Sequence, residues 1–136
     1  MVNMDTREAA RRWRSVWQDA WPARDAAAVA ALYTDDAVHR STPFRSPHSG
    51  IGAIREYFVS SFADEVAPAE VRFAEPLIDG DRAVMEWRAL VTEAAGPATI
   101  AGIAVAEFGP DGLITVSRDY WHTVPGSLGL SEDLLG

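Results

Sequence analysis

Two side chains of this sequence can exchange a proton near neutral pH, and both lie in strand-like stretches. His39 lies in Ala37–Ser41, whose alternation predicts a strand with His39 and Ser41 on one face. Asp119 lies in the alternating stretch Leu113–His122. A histidine titrates near neutrality, and a carboxyl group in an apolar cavity has a raised pKa. Both residues are therefore candidates for acid–base catalysis.

Each candidate also has a structural alternative. Asp119 can instead be locked in an ion pair with Arg88 or Arg118, and His39 can be a core histidine bonded to a neighbour. The period of a strand puts Asp119 and Trp121 on one face and Arg118 on the other. Periodicity alone does not say which of the two faces is inside.

Residue usage excludes several kinds of chemistry. The chain has no cysteine, and all twelve basic side chains are arginines. Thiolate nucleophiles, disulfides, cysteine zinc sites and lysine Schiff bases are therefore excluded. The three histidines lack the spacing of metal ligands, and Gly50-Ile51-Gly52 follows a proline-rich loop rather than the strand of a dinucleotide fingerprint. We expect no metal and no cofactor.

Charge and length limit the partners and the domain count. A net charge of -8 without a basic run disfavours nucleic acid and anionic membranes. The polar N-terminus and the lack of a long apolar run predict no signal peptide or membrane span, so we expect a cytoplasmic protein. A chain of 136 residues predicts a single domain over 1–136, with a core at about 7–123 and a tail at 124–136.

Three helices are predicted in the first half of the chain. The first is capped by Thr6 and ends at Pro22, the second runs from a cap at Asp25 to Leu32, and the third spans residues 51–63. Tryptophans on the first helix form either a packed core or the wall of a cavity. The apolar stripe of this helix comprises Ala9, Trp13, Val16, Trp17, Ala20 and Trp21.

The second half of the chain is strand-like and is divided by short turns. Helices followed by strands that return through short turns predict an α+β fold with an antiparallel meander. The predicted strands are Val71–Phe73, Leu77–Ile78, Ala83–Thr92, Ala98–Phe108 and Leu113–His122.

Two sequence motifs carry a family resemblance. The stretch LYTDDAV, with the proline-rich loop and GIGAIREYF that follow it, and the later RDYW resemble SnoaL-like members of the NTF2-like superfamily. The resemblance extends from about Arg11 to His122. It implies an NTF2-like cone, in which N-terminal helices pack on a curved antiparallel sheet that encloses a pocket. Related members include polyketide cyclases, ketosteroid isomerase and limonene epoxide hydrolase.

The resemblance also implies which strand faces point into the pocket. Asp119 is expected to face the pocket, together with His39, and so are Glu86 and Arg88. These four residues are the predicted catalytic set. The predicted ligand-binding residues are Trp13, Trp17, Ser41, Phe58, Gly102, Ala104 and Trp121.

Matching the catalytic residues of individual relatives to this sequence limits the mechanisms that we expect. The catalytic groups of ketosteroid isomerase fall on Ser41, Ala104 and Trp17, so that mechanism is not expected here. The late acid of the epoxide hydrolase falls on Asp119. Its Arg-x-Asp pair, however, falls on the reversed pair at positions 86 and 88. The general acid that opens an epoxide would then be Glu86 or His39.

The outer face of the sheet is predicted to be apolar. This face would expose more apolar surface to water than a monomer usually does, and we therefore expect a homodimer. The alternative is that the C-terminal tail covers it. The predicted outer residues are Ile103, Val105, Ile114, Val116 and Tyr120.

These observations leave three functions open. The preferred one is a small cofactor-independent cyclase, lyase, isomerase or hydrolase of the SnoaL-like type, acting on an apolar ring-sized metabolite. The alternative is a non-catalytic dimeric protein that binds an apolar small molecule. A third is a structural dimer whose cavity is filled by its own side chains.

Overall fold

The computed structural model describes residues 4–130. Within this part of the chain the helices are α1 (Thr6–Ala23), α2 (Ala26–Ala30) and α3 (Ile51–Ala63). The strands are β1 (Tyr33–Arg40), β2 (His48–Ser49), β3 (Glu70–Phe73), β4 (Leu77–Asp79), β5 (Arg82–Glu93), β6 (Gly96–Phe108) and β7 (Ile114–Pro125). None of the helices in residues 4–130 is both long and apolar enough to cross a membrane.

Helix α1 begins and ends close to its predicted limits, but with different residues. The side chain of Asp5, not Thr6, caps it by accepting a hydrogen bond from the backbone N–H of Arg7. Pro22 lies inside the last turn, and the helix ends at Ala23, followed by the C-cap residue Arg24, whose φ of 56° is left-handed. The buried side chains of α1 belong to Ala9, Ala10, Trp13, Ala20 and Trp21.

Helix α2 is shorter than predicted, and β1 is longer. The helix ends at Ala30, and β1 already begins at Tyr33, the residue after the predicted end of the helix at Leu32. Tyr33 pairs with Ile114 of β7, and both side chains are buried. Sheet pairing has therefore overridden the local helical pattern.

The strands form one sheet in the order β2-β1-β7-β6-β5-β3, with β4 paired to β5. The predicted α+β cone is confirmed, with the N-terminal helices packed on a curved sheet that is not closed. The expectation of an entirely antiparallel sheet is wrong at one place, because β1 and β7 are parallel. A parallel pair needs a long crossover, and here the crossover consists of everything between β1 and β7.

The hairpin of β5 and β6 sets which side chains enter the concave side. Glu93 pairs with Gly96, and this short connection places Trp87 opposite Gly102 and Met85 opposite Ala104. Directly opposed residues share a face of the sheet. The indole of Trp87 lies on the backbone of Gly102, where a Cβ atom would overlap the ring. Glycine at this position therefore lets the tryptophan turn inward.

This register corrects the predicted orientation of Glu86 and Arg88. Both were expected inside, but they alternate with the inward Met85 and Trp87 and so lie on the outer face. There Arg88 Nη1 donates to Glu86 Oε2 over 3.3 Å. A shift of one residue in the pairing of a strand moves every side chain to the other face. The sequence of the turn alone does not determine which of the two registers forms.

A second correction comes from a bulge between β6 and β7. The register shifts between Glu107 and Phe108, so that Ile114 lies opposite Phe108 and both are buried. Ile114 therefore belongs to the core and not to the outer face. Of the predicted outer residues, Ile103 and Tyr120 are 36% and 46% exposed.

Candidate functional site

A cavity of about 400 Å³ lies between the helices and the concave side of the sheet. Its mouth is marked by those lining residues that are exposed: Arg45, Ser60, Asp64, Glu93 and Thr123. The interior is mostly aromatic, which suits an apolar ligand. The interior lining includes Trp13, Trp17, Trp21, Tyr33, Phe58, Phe62, Phe73, Trp87 and Trp121.

The tryptophans of α1 form both a packed core and a wall of the cavity, the two alternatives that the sequence left open. Trp17 packs edge-on against Phe58 at 5.2 Å and against Trp21 at 5.8 Å between ring centroids. Trp21 in turn contacts Trp87 of β5 at 5.3 Å. The same rings line the cavity. Edge-to-face packing of this kind fixes the rings in place, so the cavity has rigid walls.

Asp119 of β7 lies on the cavity side of the sheet, opposite Ala104. Its side chain is only 22% exposed, and burial raises the pKa of its carboxyl group to about 7. The ion pairs considered from sequence do not form. Arg88 lies on the other face, and Arg118 Nη2 lies 3.5 Å from Glu107 Oε2.

A chain of polar groups runs behind this carboxyl group. The hydroxyl groups of Tyr33 and Ser117 are 2.8 Å apart, and Ser117 Oγ lies 2.7 Å from His39 Nδ1. His39 Nε2 lies 3.6 Å from Asp119 Oδ2. This is longer than a hydrogen bond, and Nε2 has no hydrogen-bond partner among the described residues. The imidazole is thus held from one side and faces the carboxyl group with the other.

Burial also fixes the protonation states of these polar groups. Desolvation, with a smaller contribution from His48, lowers the pKa of His39 to about 4, so the imidazole is neutral at pH 7. Desolvation likewise raises the pKa of Tyr33, which keeps its proton. If Tyr33 donates to Ser117 and Ser117 donates to Nδ1, the remaining imidazole proton is on Nε2. That proton then points towards Asp119.

Most of the predicted ligand-binding residues line the cavity. The lining contains Trp13, Trp17, Phe58, Ala104 and Trp121, together with His39 and Asp119 of the predicted catalytic set.

Two predicted ligand-binding residues do not line the cavity. Gly102 lies beneath Trp87, and Ser41 supports the wall instead, because its carbonyl oxygen accepts a 2.7 Å hydrogen bond from the indole of Trp121. Within residues 4–130 no three histidine or carboxylate side chains cluster in a way that could hold a metal ion.

Glu65 lines the cavity and was missed by the sequence analysis. It is 7% exposed, and its Oε2 accepts a 2.8 Å hydrogen bond from Trp21 Nε1. Its Oε1 has no hydrogen-bond partner among the described residues. Burial is the main cause that raises the pKa of this carboxyl group. In the sequence it is one of two acidic residues in a row after a helix, which is the usual pattern of an exposed loop.

Comparison with known protein families identifies the family of this chain. The profile of the SnoaL-like domain matches residues 10–117. The chain belongs to the SnoaL-like family. This confirms the resemblance seen in the LYTDDAV and GIGAIREYF motifs and places the protein in the NTF2-like superfamily.

A solved structure and a sequence search add to the comparison. This SnoaL-like protein is similar in fold to SalBIII, described as an epoxide hydrolase/cyclase-like enzyme in pyran ring formation in the polyether salinomycin. The TM-score is 0.69 at 22% identity, over 86% of this chain and 90% of the SalBIII chain. At this identity the likeness shows the fold alone. No curated protein matches the sequence significantly.

Proposed function

We propose that this SnoaL-like protein is a small cofactor-independent enzyme that transfers a proton to or from an apolar, ring-sized metabolite. Asp119 is the proton donor or acceptor. One observation carries the proposal: a carboxyl group faces an aromatic cavity, is desolvated and has no arginine partner among residues 4–130. A desolvated carboxyl group of this kind destabilises the fold when it is ionised, and such groups are typical of functional sites.

The pKa of Asp119 suits either direction of proton transfer. With a value of about 7, both the acid and the carboxylate are populated near neutral pH. The neutral His39 does not compensate the negative charge, so it leaves the pKa raised. It can still donate a hydrogen bond from Nε2 once the two groups approach from their present 3.6 Å. Ser117 and Tyr33 hold its ring for that role.

The cavity walls support an apolar substrate. A volume of about 400 Å³ is within the usual range for small-molecule sites. Trp17 and Trp121 are part of the same cavity lining as Asp119, so a bound apolar substrate would displace water from the cavity and strengthen electrostatic interactions with the reacting atoms.

SalBIII is described as an epoxide hydrolase/cyclase-like enzyme, and this supports one reaction class as the first to test here, the opening or closure of a ring at a C–O bond. In that reaction the Asp119 acid gives its proton to the epoxide oxygen as the C–O bond breaks. A hydroxyl group of the substrate, or water, forms the new C–O bond. The proton that this nucleophile releases then restores the acid. One C–O bond breaks, one forms and the proton returns to Asp119, so the reaction requires no other reactant.

The proposal can be tested with two substrate classes. Hydroxy-epoxides report ring closure, and cyclic ketones in deuterated water report proton exchange next to the carbonyl group, both by NMR. Epoxide opening needs the acid, so its rate should fall as the pH rises through about 7, whereas ketone exchange should rise over the same range. Tight binding of both classes without turnover would favour the non-catalytic binding protein instead.

We further propose that two copies associate through the outer face of the sheet. Ile103 and Tyr120 are exposed there, beside Val105 and Val116. In residues 124–130, Gly126 and Leu128 are hydrogen-bonded along β6. The rest of the tail proposed as a cover, including Leu134 and Leu135, lies outside the described residues.

Replacing Val116 with arginine should dissociate this dimer. A long charged side chain in an interface of roughly 1,600 Å² would be desolvated and would hold the two copies apart. Sedimentation at micromolar concentration should give twice the monomer mass for the wild type and the monomer mass for the variant. The matched control is Val66→Arg, because Val66 is 60% exposed in the loop after α3. A dimer that persists in Val116→Arg would reject this interface.

A further inference from the structure

Glu65 is a buried carboxyl group in the cavity wall that the proposed proton transfer does not use. It follows α3 in the chain and is reached from α1, whose Trp21 donates its indole N–H to Oε2. Arg24 donates to the main-chain carbonyl oxygen of Glu65 over 2.6 Å and not to the carboxyl group. One oxygen of the carboxyl group is therefore held, and the other has no hydrogen-bond partner among the described residues.

The two carboxyl groups of the cavity lie at different parts of its aromatic wall. Asp119 lies beside His39, which contacts Phe58 at 5.2 Å between ring centroids. Glu65 lies beside Trp21, and Trp17 packs between Phe58 and Trp21. A ligand that spans the cavity therefore meets a polar group, an apolar stretch of rings and a second polar group.

The hydrogen bond to Trp21 fixes what the free oxygen of Glu65 can do. Oε2 accepts the indole proton in both protonation states of the carboxyl group. Oε1 then donates when it carries the acid proton and accepts when the group is ionised. A hydroxyl group can serve as acceptor or donor, so it fits both states. The soft terminal torsion of glutamate lets Oε1 adjust to it.

The surroundings of Glu65 disfavour an anionic ligand. Asp64 and Glu93 lie at the mouth of the cavity near it, and Glu93 forms a backbone bridge with Glu65. A carboxylate or phosphate on the ligand would be repelled by these charges. An anionic group is thus disfavoured, and a neutral hydroxyl group fits Glu65 in both of its protonation states.

We propose that Glu65 is a specificity-determining residue that binds a hydroxyl group of the apolar ligand, remote from the atom that meets Asp119. This rests on the proposed function insofar as the ligand occupies the same cavity. The ligand class is a neutral ring compound with a free hydroxyl group on the part that lies near Trp21.

Two probes of similar size and shape test this inference in the intact protein. They are 2-tetralol and 2-methyltetralin, which differ by a hydroxyl and a methyl group. Calorimetry gives the ratio of their Kd values. In Glu65→Met this ratio should shift by about tenfold against the alcohol, which is the loss expected for one buried hydrogen bond. Glu65→Gln should keep the wild-type ratio, because its amide oxygen accepts from Trp21 and its amide N–H donates to the alcohol.

Two further variants locate the effect. Asp119→Asn should keep the wild-type ratio, and so should Glu93→Gln, which removes a charge from the mouth but leaves the carboxyl group of Glu65 in place. An unchanged ratio in Glu65→Met, or a loss in Asp119→Asn instead, would overturn the inference. Because the readout is binding, it can succeed even if no turnover is found, and the two proposals can therefore fail separately.

A wild-type measurement covers the case in which Glu65→Met does not fold. The ¹³C signal of the Glu65 carboxyl group should shift on titration with 2-tetralol and not with 2-methyltetralin. The Glu65→Gln variant assigns the signal. If both probes bind and neither moves the signal, the hydroxyl group does not meet Glu65.

Discussion

Asp119→Asn should lower turnover by roughly two to four orders of magnitude on any substrate that the protein is found to convert, because asparagine keeps the shape of the side chain but cannot transfer a proton. The loss should appear in kcat, since the amide still fills the same space and the aromatic walls still bind the substrate. KM should change little. Single-turnover NMR assays with excess enzyme would measure this loss even for a slow reaction.

The matched control for this experiment is Glu75→Gln. It removes one negative charge outside the cavity, in the loop between β3 and β4, where Glu75 lies 3.5 Å from Arg14. An exposed pair of this kind contributes about 0–1 kcal/mol, so the control should keep its turnover and its fold. If Asp119→Asn retains wild-type turnover on an accepted substrate, the assignment of Asp119 is wrong.

The same substitution should stabilise the protein, and increasingly so as the pH rises. The pKa of Asp119 is raised from 3.8 in its ordinary state to about 7 in the fold. Between these values the unfolded chain loses its proton first, so the free energy of unfolding of the wild type falls as the pH rises. Asparagine carries no such penalty. From pH 5 to pH 8 the variant should gain about 2–3 kcal/mol over the wild type.

Denaturant unfolding at pH 5 and pH 8 measures this gain. His39 titrates in both proteins and Tyr33 keeps its proton in both, so their contributions largely cancel in the difference, and Glu75→Gln again serves as the control. The ion-pair alternative gives the opposite sign. A carboxylate paired with arginine has a lowered pKa, and removing it strands the arginine charge, so the variant would then be less stable than the wild type at pH 8.

The sequence was sufficient for His39 and Asp119, but for different reasons. Alternation placed each on a strand, and the family resemblance selected the inner face for Asp119. In the structure both line the cavity. Their catalytic role remains a prediction. Their protonation could not be read from the sequence, because it depends on burial by α1 and α3, which are distant along the chain.

Glu86 and Arg88 show where strand arguments fail. Both faces of β5 contain apolar residues, so the pattern permits either orientation, and the contact of Trp87 with Gly102 decides it. Ile114 was misplaced by a bulge, which shifts the register of β7 without a local signal. Glu65 was missed because its burial depends on a hydrogen bond to Trp21, 44 residues away.

The most direct test of the central claim is the pH titration of the Asp119 carboxyl group itself. Protein labelled with ¹³C at the aspartate carboxyl carbons gives one signal per residue, and Asp119→Asn identifies the signal of interest. The present account predicts a titration midpoint at about 7, well above the ordinary value of 3.8. A midpoint at or below 3.8 would mean that Asp119 is a solvated or paired carboxylate, and it would contradict the account.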